Sequence, residues 1–186
     1  MVKLILLGGG GHAISCIEAI ESTRKFKIAG VLDNDPKCLA VGLGFKYLGL
    51  EQSLSNEFWV GKNVHISIGQ IKSPKTRVKL YQKLKDFGAK FPIIIANTSY
   101  VSKTAHIDEG TIMLNNCTVN HSANIGKNCI INSTALIEHG VNIEDNCHVS
   151  TGAIVNGDAI VKSNTFIGSG AIIKEGIKIG SNCIIQ

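Results

Sequence analysis

Six histidines supply most of the acid–base chemistry this sequence can offer near neutral pH. Two of them, His139 and His148, stand nine residues apart in STALIEHGVNIEDNCHVS, a stretch otherwise made mostly of aliphatic, small and turn-forming residues. An imidazole in such a setting can act as a general base, bind a metal or simply face water. Metal binding is not expected, because no two histidines share a short ligand spacing and no Asp or Cys is placed to complete a tetrahedron. Catalysis requires a stiff scaffold that holds the ring at a fixed place. A second stretch, GGGGHA at residues 8–13, could cradle a phosphate on backbone N–H groups if it follows a strand and opens a helix. It does not match the GxGxxG template cleanly, and a plain strand-to-helix turn is the competing explanation.

The elements that must position these groups fall into two blocks. Residues 1–95 alternate strand and helix. Lys3 to Leu7 is an apolar strand-like run, Ala13 to Ser22 carries Ile14, Ile17 and Ile20 at helical spacing, and Ile28 to Leu32 is a second strand ending in the turn-forming Asp33-Asn34-Asp35-Pro36. His65 to Ile68, a basic helix from Pro74 to Phe87, and a third strong strand at Pro92 to Ile95 complete a small βαβ, Rossmann-like domain with a parallel sheet. Asp33 and Asn34 then sit where such a fold meets a ribose or base. About 95 residues leave no second half for a dinucleotide fold, which argues against nicotinamide.

Residues 96–186 follow a different rule. Stepping by six from Ile107 gives Met113, Val119, Ile125, Ile131, Ile137, Ile143, Val149, Val155, Val161, Ile167, Ile173, Ile179 and Ile185, and two residues before each stands a mostly small side chain such as Ala123, Cys129, Ala135 or Ala153. A chain that turns a corner every six residues and closes a triangle every three corners needs an aliphatic plug per corner, so this block is expected to be an all-β left-handed parallel β-helix. IGKNC, IEDNC, VKSNT and IGSNC recur every eighteen residues, stacking Asn128, Asn146, Asn164 and Asn182 on one corner, where Asn tolerates the left-handed backbone of a tight turn. In this register His121, His139 and Gly157 form one vertical column, whereas His148 lies on another face, just before the plug Val149. His106, on a terminal coil, is read as facing solvent.

Composition bounds the function class. The chain has 186 residues, 44% hydrophobic and 18% charged, with a diffuse net charge of +5 that suits phosphorylated ligands better than nucleic acid. The basic run Lys72 to Lys85 has helical spacing and is read as a solvated face. Neither a signal peptide nor a membrane-length apolar segment is present, so a cytoplasmic protein without membrane attachment is expected. Six cysteines without CxxC spacing are read as free, with Cys117, Cys129, Cys147 and Cys183 pointing inward as small hydrophobes.

IEHG followed by CHVSTGA, set in hexads and preceded by a domain opening LILLGGGGHA, resembles the bacterial sugar acyltransferases, typified by sialic acid O-acetyltransferases and nucleotide-amino-sugar N-acetyltransferases. The resemblance spans essentially the whole chain. It implies that His139 is the general base and acetyl-CoA the co-substrate, with His148 and Ser169 contacting acetyl-CoA. It also implies that Gly10, Gly11, His12, Asp33, Asn34 and Gly69 bind the nucleotide sugar. Gly157 could offer its backbone N–H to the tetrahedral oxyanion. The family often follows the base with an acid, and this sequence has Gly140 there; Glu138 precedes the base, but strand alternation is expected to point it to the opposite side of the wall. Members of the family commonly run at least one coil past the position of Gln186, and those last coils usually complete their CoA site. The implied activity is acetyl transfer to the amine of a nucleotide-linked amino sugar by a homotrimer. Transfer to a sialic acid or other sugar hydroxyl and an idle β-helix scaffold remain the alternatives.

Overall fold

A computed structural model describes residues 1–186, which form two compact units. The first comprises Met1–Gly69 and Thr76–Pro92, the second Gln70–Lys75 and Ile93–Gln186.

The first unit is built on three parallel strands in the order β2-β1-β3: β1 (Val2–Leu7), β2 (Phe26–Leu32) and β3 (Asn63–Ile66). Leu4 to Leu7 are all buried, as a strand covered on both faces requires. Helix α1 (Gly11–Ser22) links β1 to β2 and buries Ala13, Cys16, Ile17, Ala19 and Ile20. A single-turn helix α2 (Leu39–Gly42) lies in the β2–β3 connection, and α3 (Lys75–Asp86) follows β3. Buried Arg77 on α3 donates to the carbonyl oxygens of Ile66 and Ile68, fastening the end of β3 to the helix. Burying each large aliphatic side chain of such a core contributes about 1.5–3 kcal/mol.

The strand at Pro92 to Ile95 does not join this sheet. Its regular part, β4 (Ile94–Ile95), pairs in parallel with β7 (Ile112–Met113) and is the first rung of the second unit. The apolar run is a strand, but a two-residue rung has the same local composition as a sheet strand, and only the pairing partner separates them.

The second unit is a parallel β-helix of two-residue rungs, β4 to β19 (Ile184–Ile185), arranged in sheets of six, five and five strands. Every pairing joins residues eighteen apart, as in Ile131 with Val149 and Ile137 with Val155. The hexad plugs from Met113 to Ile167 are at most 1% exposed and form one continuous core with the alternating Ala and Cys residues. Asn128, Asn146, Asn164 and Asn182 take φ values of 53°, 59°, 64° and 58°, the left-handed turns expected of that column. All six cysteines are free. Burial pushes the Cys117 thiol up to about 11 and that of Cys16 up to about 12, so both are packing groups rather than nucleophiles.

Candidate active site

On the β-helix, the eighteen-residue register brings His139 and Gly157 into direct contact. A Cβ built on Gly157 would stand 2.8 Å from both Cε1 and Nε2 of His139, so the imidazole lies against a backbone that only glycine leaves open. The Gly157 N–H makes no backbone hydrogen bond, although the turn is otherwise laddered: Asp158 N–H donates to the His139 carbonyl at 3.0 Å, and the Gly157 carbonyl accepts from Gly176 N at 2.9 Å. His139 itself is exposed, its side chain keeping 64% of its accessible surface. Below it, His121 places Nδ1 2.7 Å from Thr104 Oγ1.

Glu138 departs from the sequence expectation. Its Oε2 lies 3.7 Å from His139 Nδ1 and accepts a 2.9 Å hydrogen bond from Asn120 Nδ2, one coil away. Strand alternation fails here because β11 (Leu136–Ile137) is only two residues long. Ile137 points inward, and the chain has begun its corner by Glu138, so Glu138 and His139 both project outward. Gly140 has φ +67°, and a Cβ there would stand 2.1 Å from Asp158 Oδ1. Ser122 and Asp158 hold similar φ values one coil away on either side, so a side chain at 140 is strained rather than excluded, and Asp158 would have to turn aside for it.

His148 is on an outward face, as its register dictates, yet only 4% exposed. The segment Gln70–Lys75 covers it: His148 Nδ1 is 2.5 Å from the Gln70 carbonyl oxygen, Nε2 is 3.2 Å from Asn132 Nδ2, and Phe166 packs edge-on against the ring at 5.1 Å. Ser169 is exposed at a neighbouring corner, its hydroxyl 2.9 Å from that of Ser150. Asn120, Asn132, Ser150 and Gln70 were not among the residues read from the sequence. A register count locates the first three once the function of the column is suspected; nothing in the sequence locates Gln70.

In the first unit, a cleft of about 490 Å³ is lined by Gly8, Asp33, Asn34, Glu51, Thr76, Lys79 and Lys83 among others. Of the expected ligand residues it collects Asp33 and Asn34, whereas Gly10, Gly11, His12 and Gly69 lie outside its lining, with Gly69 packed close to the His12 side chain. Asp33 is occupied in building the loop, accepting from Gly9 N at 2.7 Å and from Asp35 N at 2.8 Å. The four glycines divide. A Cβ on Gly8 would meet Ile68 at 2.6 Å and one on Gly9 would meet Cys38 Sγ at 2.3 Å, whereas Gly10 and Gly11 meet nothing within 4 Å. Packing therefore explains the first pair, and the second pair leaves the start of α1 open to an approaching ligand. The basic helix is not wholly a solvated face: Thr76, Lys79 and Lys83 turn into the cleft, Lys83 paired with Glu51 at 2.8 Å. That correction depends on which side of α3 meets the sheet, which periodicity in a strongly charged helix does not show.

No set of three or more His, Cys, Asp or Glu side chains is arranged to hold a metal, and no helix is long and apolar enough to cross a membrane.

With this geometry, comparison with known proteins gives a consistent assignment. Residues 3–84 match the PglD N-terminal domain, and residues 122–156 and 159–186 match the hexapeptide repeat of succinyl-transferase. The chain thus joins a domain similar to the PglD N-terminal domain to a β-helix similar to the hexapeptide repeat of succinyl-transferase. No curated protein sequence matches it. Among solved structures, the acetyltransferase domain of PglB from Neisseria gonorrhoeae aligns with 100% of this chain and 92% of its own, at TM-score 0.83 and 22% identity. The same domain in complex with acetyl coenzyme A gives TM-score 0.84 over 98% and 92%, again at 22% identity. PerB from Caulobacter crescentus, in complex with CoA and GDP-perosamine, gives 0.75 over 97% and 92%, also at 22% identity. At this identity the likeness to the solved structures is one of fold. The PglD-type domain and the repeats bear out the resemblance to bacterial sugar acyltransferases.

Proposed function

We propose that this chain is an acetyl-CoA-dependent acetyltransferase acting on the amine of a nucleotide-linked amino sugar. The observation that carries the reading is the His139 imidazole, exposed on a stiff β-helix, lying on Gly157 with the Asn120-held Glu138 carboxylate near its Nδ1. Similarity of fold to the PglB domain solved with acetyl coenzyme A and to PerB solved with CoA and GDP-perosamine supports the substrate class.

His139 takes a proton from the acceptor amine as its nitrogen attacks the thioester carbonyl. The new C–N bond leaves a tetrahedral oxyanion, to which the Gly157 N–H can donate. Collapse breaks the C–S bond, and the departing CoA thiolate takes up the proton held on His139. The Glu138 carboxylate, 3.7 Å from Nδ1, is the group placed to orient the ring. Ser169 and the covered His148 are assigned to the acetyl-CoA path. With both ring nitrogens bonded, His148 contributes there by shape.

In the first unit, the 490 Å³ cleft is assigned to the nucleotide, with Asn34, Thr76 and Lys79 added to Asp33 as its lining. Gly10, Gly11, His12 and Gly69 are assigned to the same ligand at the start of α1. A homotrimer belongs to the same reading. Tyr100, Thr118, Leu136, Ile154 and Ile172 stack on the outer side of one β-helix face, apolar but for Thr118, with Tyr100 and Ile172 at 59% and 67% exposure and Leu136 and Ile154 half-buried. An exposed apolar stripe of this kind suits contact with another copy.

The test is acetyl transfer from acetyl-CoA to a panel of UDP-, GDP- and CMP-linked amino sugars. We expect at least one N-acetylated product, and His139→Ala should lower its formation by about 100-fold or more without lowering the melting temperature. Products acetylated only on hydroxyls would transfer the assignment to O-acetylation. Absence of any product together with failure to bind acetyl-CoA would leave a scaffold.

A further inference from the structure

The 490 Å³ cleft of the first unit gathers residues from the ends of β1 and β2. A second concavity of about 290 Å³ lies nearer the starts of the same strands and shares no lining residue with that cleft. Ile5 of β1 and Ala29 of β2 line it, together with Leu48 and Phe58 from the β2–β3 connection. Ile5 belongs to the core of the unit, whereas Ala29, Leu48 and Phe58 pack against that core and stay half-buried. The cover over the sheet is therefore incomplete here, and an apolar recess is left.

The strand that borders the recess is irregular at the same place. Leu4 pairs with Ile28 and Ile5 with Gly30, so Ala29 is an extra residue without a partner on β1. A bulge of this kind bends its strand and re-aims a side chain. The side chain re-aimed here is a methyl group, which keeps the recess open.

Charge distinguishes the recess from ordinary surface. Lys3 and Lys62 line it, and no acidic residue does. Both lysines are exposed and neither is in an ion pair. Lys62 instead holds its ammonium group 5.5 Å from the centroid of the Phe58 ring. Exposed lysines alone are solvated groups, and scattered half-buried apolar side chains alone need no explanation. An apolar recess whose only charges are two unpaired cations is complementary to an anion with an apolar body.

We propose that this concavity is a second ligand site of the first unit, taking a small carboxylate whose apolar body is about the size of a fused aromatic ring pair. The body lies on Ile5, Ala29, Leu48 and Phe58, and the carboxylate meets Lys3 and Lys62. The site stands independently of the acetyl-transfer reading, because none of its residues belongs to the His139 column or to the nucleotide cleft.

The test uses the full chain, with 2-naphthoate as probe and 2-naphthylmethanol as its uncharged counterpart, both followed by titration calorimetry. Ala29→Leu fills the recess, and the double variant Lys3→Ala with Lys62→Ala changes only exposed side chains. We expect naphthoate to bind and the alcohol to bind about tenfold more weakly, the scale of a lost charged hydrogen bond. Ala29→Leu should weaken both ligands. The double lysine variant should weaken naphthoate by about tenfold and leave the alcohol unchanged. If Ala29→Leu lowers the melting temperature, the lysine variant decides. The proposal is overturned if naphthoate does not bind, if its affinity is unchanged in the lysine variant, or if the alcohol binds as tightly as the acid. None of these readouts involves acetyl transfer, so their failure is distinct from failure of the catalytic assignment.

Discussion

At His139, the distance to the neighbouring coil decides what the residue can do. Gly157→Ala places a methyl group where the ring now lies, at 2.8 Å from two of its atoms. We expect acetyl transfer to fall by at least about tenfold, because displacing a base by even 1 Å is costly. Melting of the Gly157→Ala variant should recover when His139→Ala is added, since the clash disappears; unchanged activity in Gly157→Ala would remove the contact from the mechanism. Gly140 gives a second outcome at this scale. Placing an acid directly after His139 with Gly140→Glu should destabilise the protein by about 1–2 kcal/mol, since it imposes a strained left-handed residue and meets Asp158. Chemical denaturation measures this directly. Glu138, held by Asn120, is the carboxylate that lies 3.7 Å from His139 Nδ1.

Strand β3 carries an unusual element-level feature. His65 is fully buried and neither ring nitrogen has a hydrogen-bond partner. Burial holds its imidazole well below the ordinary range, and the nearby Arg77 guanidinium and His12 add to this. The folded state therefore resists a proton that the unfolded chain takes up near pH 6.5. Its contribution to stability is complete above about pH 6.5 and is lost as pH falls from there towards the depressed folded-state value. Melting temperature should drop over this interval, and His65→Leu should flatten the drop. An equally steep profile in His65→Leu would place the proton uptake elsewhere. On the β-helix, Glu144 is held below the usual carboxylate range chiefly by hydrogen bonding to Lys162, with Ser163 adding to it. Its effect has the same sign but begins near the ordinary Glu range, so the two groups separate by pH.

For the whole molecule, the proposed assembly is tested on the column Tyr100, Thr118, Leu136, Ile154 and Ile172, exposed at both ends and half-buried at Leu136 and Ile154. Light scattering at working concentration should give about three times the chain mass, and Ile172→Asp should reduce it towards the single-chain value. A monomer in the unaltered protein would detach the trimer from the functional reading. The covering of His148 by Gln70–Lys75 also belongs to this scale, because it joins residues 78 apart in sequence.

How far the sequence reached follows from periodicity. An eighteen-residue coil converts sequence separation directly into vertical stacking, so the plugs, the Asn column and the contact of His139 with Gly157 could all be counted from the residues alone. What the tertiary structure decided are contacts with no such metric: Pro92 to Ile95 entering the β-helix rather than the first sheet, Lys79 and Lys83 turning into the cleft, and Glu138 swinging to the side of His139 at a corner. The repeat is one-dimensional order and is written in the chain. Where a strap lands, or which face of a helix is covered, depends on packing between segments far apart in sequence, and no local pattern records it.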